Sequence, residues 1–240
     1  MDRQSPEFQA KNPGLILASA SPRRKEILEL LGVPFEVIPA EGVDEDAVRG
    51  TAAEIARHLA ERKAEAVFQR LRRQRLEGGI LAVLGADTVV AVEEGGTEQV
   101  LGKPKDEDDA RRMLRLLGGR SHSVWTGVAV SRPGQATRVA VEKSIVAFRA
   151  LSEEDVDRYI LTGEPLGKAG AYAIQGEGRL LIAGFSGCYY NIVGLPLVLS
   201  ARLLDGIVPL PRCDCEHHPF QRGERGCRES TVDSPQSTVA

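Results

Sequence analysis

Apolar runs of strand length alternate with capped helical segments through the first half of the chain. Ser21 and Pro22 suit the N-cap and the first turn of one helix, and Thr51 and Glu54 have the capping-box spacing that opens a longer one. Strands are predicted over 15–18, 34–38, 80–84 and 89–92, and helices over 22–31, 52–77 and 106–117. Such an alternation indicates a sheet with helices packed against it.

The second half of the chain is richer in strands. Two β-type runs, 123–130 and 137–148, flank Pro133 and Gly134 and indicate a hairpin. The remaining elements are a capped helix over 152–161, a loop over 163–170, short strands over 171–175 and 180–183, and a last helix over 195–204. Strands that alternate with helices, together with an antiparallel pair, predict an α/β fold with a mixed sheet.

The composition argues against several classes of protein. The 240 residues carry 34 acidic and 31 basic side chains, so neither a nucleic acid nor a membrane surface is expected as a partner. No apolar run approaches the roughly 18 residues of a membrane span, and no signal peptide is visible. Four cysteines, three of them in the last thirty residues, make a poor disulfide framework. A cytoplasmic, reducing location is therefore expected.

The segment 18–24, Ala-Ser-Ala-Ser-Pro-Arg-Arg, lies between a predicted strand and a predicted helix. Free backbone N–H groups at a helix N-terminus favour an anion, and Arg23 and Arg24 can add forked hydrogen bonds to phosphate oxygens. The alternative is an ordinary N-cap followed by two solvated arginines. Cations at this end of a helix oppose its dipole, so that alternative leaves their position unexplained.

Asp87 lies in the segment Gly85–Thr88, which interrupts the apolar pattern between two predicted strands. A carboxylate at the point where a buried strand breaks is held rigidly at a sheet edge. There it can hold a divalent cation or accept a proton from water. The alternative is an Asx turn, in which Asp87 bonds its own backbone.

Lys63, Lys103, Asp44 and Glu45 are scattered charges, and each of them alone is typical of a solvated surface. Taken together they provide acids that can hold Mg²⁺ and cations that can neutralise phosphate. A metal–polyphosphate site requires both.

Other motifs are discounted. The stretch 163–169 is one residue short of a P-loop and lacks the Ser or Thr that would meet magnesium, and 96–103 is one residue too long. The glycines at 176–178 do not complete a dinucleotide fingerprint, because Leu181 stands where the last glycine belongs. The Cys and His residues from Cys213 onward fit no closed zinc pattern well.

Six stretches, in collinear order, resemble the Maf nucleotide pyrophosphatases, a family named for the inhibition of septum formation. They are LASASPRRKEIL at 17–28, GADTVV at 85–90, LGKP at 101–104, HSVWTGVAV at 122–130, KAGAYAIQG at 168–176 and YNIVGLPL at 190–197. The chain is accordingly divided into a flexible N-terminus over 1–13, a Maf-like domain over 14–208 and a disordered tail over 209–240.

The resemblance implies a fold and an activity. The expected fold is the inosine-triphosphatase-like (Maf/Ham1) α/β fold, with a mixed twisted sheet, flanking helices and two lobes around a central cleft. Members of the family hydrolyse nucleoside triphosphates between the α- and β-phosphates, giving a monophosphate and pyrophosphate, and they are usually dimeric. A divalent metal cation, Mg²⁺ or Mn²⁺, and a homodimer are therefore expected here.

The resemblance also assigns roles to single residues. Asp87 is the expected proton acceptor and, with Glu45, the expected metal ligand. Substrate choice is expected at Arg23, Thr88 and Gln175, and phosphate or metal contacts at Ser19, Arg24, Glu45, Lys63 and Lys103. The stretch 171–176 resembles the subgroup that prefers dTTP and UTP. A glutamine amide offers the donor and the acceptor that a pyrimidine edge with O4 and N3–H requires.

Two other functions stay open. One is a pyrophosphatase for 7-methyl-GTP or other modified nucleotides, and the other is a non-catalytic nucleotide-binding regulator of cell division. Gly167 and Tyr190 depart from the family pattern, and both departures bear on specificity. A carboxylate beside a polyanion costs binding unless a metal intervenes, which favours the enzyme over the regulator.

Overall fold

The structure is a computed structural model, and it describes residues 14–45, 47–73 and 82–208. The predicted N-terminal segment 1–13, the tail 209–240 with its Cys and His residues, and the helix end predicted at Gly78 and Gly79 lie outside the described residues. Within the described ranges, no helix combines the length and the apolar character that crossing a membrane requires.

Six α-helices and seven β-strands occur in the described part of the chain. The helices are α1 (Pro22–Glu29), α2 (Ala52–Arg73), α3 (Glu107–Leu117), α4 (Glu153–Leu161), α5 (Tyr189–Val193) and α6 (Leu197–Leu204). The strands are β1 (Leu15–Leu17), β2 (Phe35–Val37), β3 (Ala82–Glu94), β4 (Thr97–Leu101), β5 (Ser121–Ser131), β6 (Arg138–Phe148) and β7 (Ile182–Ser186). Two short 3-10 helices, Ala169–Ala171 and Gly176–Leu181, precede β7.

The described strands form a mixed sheet in the order β2-β1-β3-β5-β6-β7, and β4 also pairs with β3. β1 is parallel to β2 and to β3, whereas the pairs from β3 through β5 and β6 to β7 are antiparallel. The predicted mixed α/β fold is therefore confirmed. The hairpin predicted around Pro133 and Gly134 joins β5 to β6.

Alternate residues of β3 face different helices. Leu84 packs into a core that includes α1 and α6, and Val90 packs into a second core with α3 and α4. Val89, on the opposite face of the strand, packs against α2. The sheet is thus covered by α2 on one face and by the other long helices on the opposite face.

α2 lies very close to the sheet because small residues face each other. A Cβ atom built on Gly85 would lie 2.5 Å from the carbonyl oxygen of Ala60, and one built on Gly127 would lie 2.2 Å from that of Ala56. Real Cβ atoms do not approach a backbone oxygen so closely, so any other residue at either position would push α2 outward. The two glycines therefore fix the distance between α2 and the sheet, and with it the position of every α2 side chain that lies over the sheet.

β3 runs without a break from Ala82 to Glu94, so the predicted interruption at 85–88 is wrong. What changes there is the neighbour on one edge of the strand. β1 pairs with β3 over 82–84, β4 pairs with it from Val90 onward, and the described residues provide no strand partner between them on that edge. The apolar pattern is interrupted because α2 requires a glycine at 85, while the strand itself continues.

The segment 169–183 also differs from its prediction. The two short strands predicted at 171–175 and 180–183 are replaced by the 3-10 helices and by β7, which begins at Ile182. Gly170, Ala171 and Gly176 have φ angles of +70°, +59° and +73°, which are left-handed conformations incompatible with a strand. β4 and α5 were not predicted.

Candidate active site

A cavity of about 1310 Å³ opens where β3 changes its neighbour. It is lined by the residues that follow β1, by those that follow β4, and by β3 itself. All nine side chains that the sequence predicts for binding or catalysis line this cavity: Ser19, Arg23, Arg24, Glu45, Lys63, Asp87, Thr88, Lys103 and Gln175. Asp44 is not among the residues that line the cavity, and its carboxylate accepts a hydrogen bond from the backbone N–H of Ala47 at 3.2 Å. The individual roles of the nine stay predictions.

One wall of the cavity carries a chain of alternating charges. The Nζ atom of Lys63 lies 2.5 Å from Oδ1 of Asp87 and 2.6 Å from Oε1 of Glu45, and Nζ of Lys103 lies 2.8 Å from Oε2 of Glu45. Although burial raises the pKa of Glu45, the hydrogen bonds from Lys103 and Lys63 lower it to about 2. Because Lys63 binds the carboxylate of Asp87, the alternative of an Asx turn at Asp87 is wrong.

The other wall is organised by Arg24. Its Nε donates to the carbonyl oxygen of Gly194 (2.8 Å), its Nη1 to Oγ of Ser19 (3.3 Å) and its Nη2 to Oγ1 of Thr88 (3.1 Å). Burial lowers the pKa of Arg24, and the negative charge of Asp87 opposes this effect. Ser21 caps α1 as predicted, but the alternative of a solvated arginine is wrong for Arg24.

A chain of hydroxyl groups supports Arg24 from behind. Oγ1 of Thr126 donates to the carbonyl oxygen of Asn191 (2.9 Å) and lies 3.0 Å from Oγ1 of Thr88. Since the proton of Thr126 is used in this way, Thr88 donates to Thr126 and keeps its lone pairs for Arg24. Thr126 and Asn191 are fully buried, and no local pattern in the sequence identified Thr126.

Asp87 and Thr88 are adjacent in β3, so their side chains leave the strand on opposite faces. Lys63 therefore reaches Asp87 from α2 on one face, and Arg24 reaches Thr88 from α1 on the other face. Both pairs line the same cavity because the edge of β3 is open between β1 and β4. The unpaired edge of β3 thus allows the wall that carries Lys63 and the wall that carries Arg24 to face one cavity.

Residues 173–175 form a further part of the cavity wall. The side chain of Gln175 is hydrogen-bonded to Tyr189, a bond that partly offsets the rise in the pKa of Tyr189 caused by burial. Lys168, from a stretch that was discounted as a P-loop, also lines the cavity. Burial and the nearby charge of Arg23 lower the pKa of Lys168, so two cations flank this region.

The model of the Maf-like protein family matches residues 14–207 of the chain. The chain belongs to the Maf family. Its Maf relatives include the dTTP/UTP pyrophosphatase of Symbiobacterium thermophilum, 51% identical over 191 residues, which cover 79% of this chain and 92% of that protein. Another is the dTTP/UTP pyrophosphatase of Pelotomaculum thermopropionicum, 48% identical over 192 residues, which cover 79% of this chain and 94% of that protein.

Likeness to solved structures is more distant. The Ham1 protein of Staphylococcus aureus is 18% identical with a TM-score of 0.37, over 56% of this chain and 71% of that chain. A HAM1 protein from Coxiella burnetii is also 18% identical, with a TM-score of 0.36 over 56% of this chain and 72% of that chain.

The donor set of the Maf cavity fits a hard divalent cation. The carboxylates of Asp87 and Glu45 converge, since both accept from the same ammonium of Lys63. Mg²⁺ commonly takes one or two carboxylates and completes its shell with phosphate oxygens and water. Among the described residues, no group of three or more His, Cys, Asp or Glu side chains converges on one point. Substrate and water would therefore have to supply most ligands.

Proposed function

We propose that the protein hydrolyses dTTP and UTP at the anhydride between the α- and β-phosphates, releasing the monophosphate and pyrophosphate. The observation that carries the proposal is the cavity, in which the carboxylate of Asp87 lies among the cations Lys63, Lys103 and Arg24. The relatives named dTTP/UTP pyrophosphatase support the substrate class. This activity would clear unwanted nucleotides from the cell.

The cations of the cavity bind the triphosphate. Arg24 is held by three protein acceptors before any substrate arrives, so its guanidinium need not be ordered on binding. Lys103 is the more exposed cation, with 58% of its side chain accessible, and it can exchange its bond to Glu45 for phosphate oxygens. Together with Arg23, these cations neutralise negative charge that develops on the leaving pyrophosphate, and the hydroxyl of Ser19 can donate a hydrogen bond to it.

Asp87 acts on the attacking water. As the oxygen of water bonds to phosphorus, the carboxylate accepts a proton, and the bond from phosphorus to the bridging oxygen breaks. Lys63 fixes the orientation of Asp87 and Glu45 toward the cavity. We propose that Asp87 and Glu45 would also hold Mg²⁺ or Mn²⁺, which would supply positive charge and Lewis-acid chemistry beside the polyphosphate. A carboxylate bound to a metal is a poor base, so the two roles of Asp87 compete.

A nucleotide panel tests the proposal. The protein is incubated with dTTP, UTP, dCTP and 7-methyl-GTP, with Mg²⁺ or with a chelator, and the products are resolved by chromatography. We expect monophosphate and pyrophosphate from dTTP and UTP, and no products with the chelator. Preferential cleavage of 7-methyl-GTP would instead favour the other pyrophosphatase subgroup. Tight binding without products would favour the regulator of cell division.

The variant Asp87→Asn tests the assigned base. It should lower kcat for dTTP by about a hundredfold or more, which is the usual contribution of a positioned general base. Asp157→Asn is the matched control, because Asp157 lies on α4 in an exposed ion pair with Arg111. Activity of Asp87→Asn within a few-fold of the wild type would remove Asp87 from the mechanism.

We further propose that the enzyme works as a cytoplasmic homodimer. Membership of the Maf family and the cytoplasmic pool of nucleoside triphosphates support this assignment. Light scattering coupled to gel filtration measures the assembly, and a mass of one chain would contradict the dimer.

A further inference from the structure

A carboxylate outside the cavity holds the loop that carries Gln175. Glu164 lies just beyond the end of α4 and accepts two backbone hydrogen bonds, from the N–H of Glu177 at Oε2 (3.0 Å) and from the N–H of Gly178 at Oε1 (3.1 Å). A Cβ atom built on Gly176 would lie 2.4 Å from Oε2 of Glu164. The turn at 176–178 is therefore folded tightly around this one carboxylate.

Tyr159 ties the other end of the same loop. It is buried on α4, and its hydroxyl donates to Oε1 of Glu164 (2.9 Å) and accepts from the backbone N–H of Ala173 (3.2 Å). Residue 173 is thereby joined to the carboxylate that holds 177 and 178. Gln175 lies between these two anchor points, with its side chain on the cavity and bonded to Tyr189.

We propose that Glu164 and Tyr159 are positioning residues for recognition of the pyrimidine base, acting through the loop 173–178 that presents Gln175. This inference rests on the proposed function, because it assumes that Gln175 reads the base. Their side chains bond to the loop and to each other, and the backbone carbonyl of Glu164, which both test variants keep, accepts a hydrogen bond from Nζ of the cavity residue Lys168 (2.6 Å). Their effect is therefore on which base is accepted, and the chemical step is left to Asp87.

The charge of Glu164 is essential to this role. Three donors converge on its two oxygens: the hydroxyl of Tyr159 and the N–H groups of Glu177 and Gly178. An ionised carboxylate accepts all three, whereas an amide has one oxygen and would turn its own NH₂ group toward a donor. The variant Glu164→Gln thus keeps the shape of the side chain and releases at least one anchor of the loop. Tyr159→Phe releases the anchor at Ala173.

The test compares Glu164→Gln and Tyr159→Phe with a matched control, Glu154→Gln, in the full chain. Glu154 lies on the same helix, is exposed, and pairs with Arg158 away from the loop. We expect each positioning variant to raise KM for dTTP about tenfold with little change in kcat, since a misaligned hydrogen bond weakens binding by about that factor. The ratio of kcat/KM for dTTP to that for dCTP should fall about tenfold. The control should match the wild type.

Hydrogen exchange provides a readout that does not depend on activity. Peptides covering 173–178 should exchange faster in both positioning variants and remain protected in Glu154→Gln. Faster exchange with an unchanged ratio of dTTP to dCTP would overturn the positioning role, and so would a loss of activity shared equally by both nucleotides. A wild-type protein that does not cleave dTTP in preference to dCTP would overturn the proposed function itself, and this result is seen before any variant is made.

Discussion

Lys63 donates a hydrogen bond to the carboxylate of Asp87 across 2.5 Å, and this bond joins α2 to β3. The same ammonium reaches Glu45 at 2.6 Å, so a single cation separates two converging carboxylates. The side chain of Lys63 is only 13% exposed, so this shared contact is largely shielded from solvent. Both Lys63 and Lys103 bond to Glu45, but it is Lys63 that also reaches Asp87.

Replacing Lys63 should greatly lower the activity of the enzyme. In Lys63→Met, two carboxylates are left side by side without their shared cation, and the orientation of Asp87 is lost. We expect kcat/KM for dTTP to fall about a hundredfold, as for removal of one preorganised donor. Lys25→Met is the control, because Lys25 forms only an exposed pair with Glu29. Equal activities of the two variants would contradict the role of Lys63.

Arg24 should not be replaceable by lysine. A lysine has one nitrogen and cannot reach Gly194, Ser19 and Thr88 together, as the guanidinium does. Arg24→Lys is expected to lower kcat/KM for dTTP about a hundredfold. Arg115→Lys changes a forked but exposed pair with Glu153 and should stay within twofold of the wild type. Full activity of Arg24→Lys would show that charge alone suffices at this position.

The close approach of α2 to the sheet predicts the effect of a single methyl group. In Gly127→Ala the new Cβ would overlap the carbonyl oxygen of Ala56, so α2 must move away and carry Lys63 with it. We expect the free energy of unfolding to fall by about 3 kcal/mol and activity to fall as well. Gly184→Ala, in β7, meets nothing within 4 Å and should be tolerated. Urea denaturation measures both variants.

His122 should make stability depend on pH. Burial lowers the pKa of His122 to about 4 from its ordinary value of 6.5, and its Nε2 lies 2.7 Å from the hydroxyl of Tyr172. As the pH falls from 6.5 to 4, the unfolded chain takes up a proton that the folded protein excludes. The free energy of unfolding should therefore decrease by about 3 kcal/mol over this interval and level off below it.

The variant His122→Gln separates this contribution from the rest of the protein. It cannot take up the proton, so its stability should lack this component of the slope between pH 6.5 and pH 4. His58→Gln, which replaces an exposed histidine on α2, is the matched control. Denaturation curves at a series of pH values give the comparison. Parallel slopes for His122→Gln and the wild type would contradict the excluded proton.

The local patterns of the sequence predicted the helix starts well. Ser21 caps α1, Thr51 and Glu54 exchange the hydrogen bonds of a capping box, and Ser152 forms another with Asp155. Each of these signals involves residues within three positions of each other, so no knowledge of the fold is needed to detect them. The mixed α/β class followed from the order of the elements for the same reason.

Features that depend on tertiary contacts were not predictable in this way. Gly85 resembles a strand break in the sequence. In the structure it instead leaves room for the backbone of Ala60, more than twenty residues earlier in the chain. The carboxylate of Glu164 has its partners at 159, 177 and 178, and no short pattern links them. The residues of the candidate site belong to motifs that lie far apart in sequence, and the fold brings these residues into one cavity.

β3 is a single continuous strand whose first part belongs to the core of α1 and α6 and whose later part belongs to the core of α3 and α4. Between 85 and 89 one edge of the strand has no neighbour among the described strands, whereas β5 pairs with the other edge throughout 83–91. Asp87 and Thr88 lie on this stretch, which links the two cores. A change in the spacing of the two cores would therefore displace Asp87 and the Thr88 support of Arg24 together, so the width of the cleft and the alignment of its charged groups are expected to vary together.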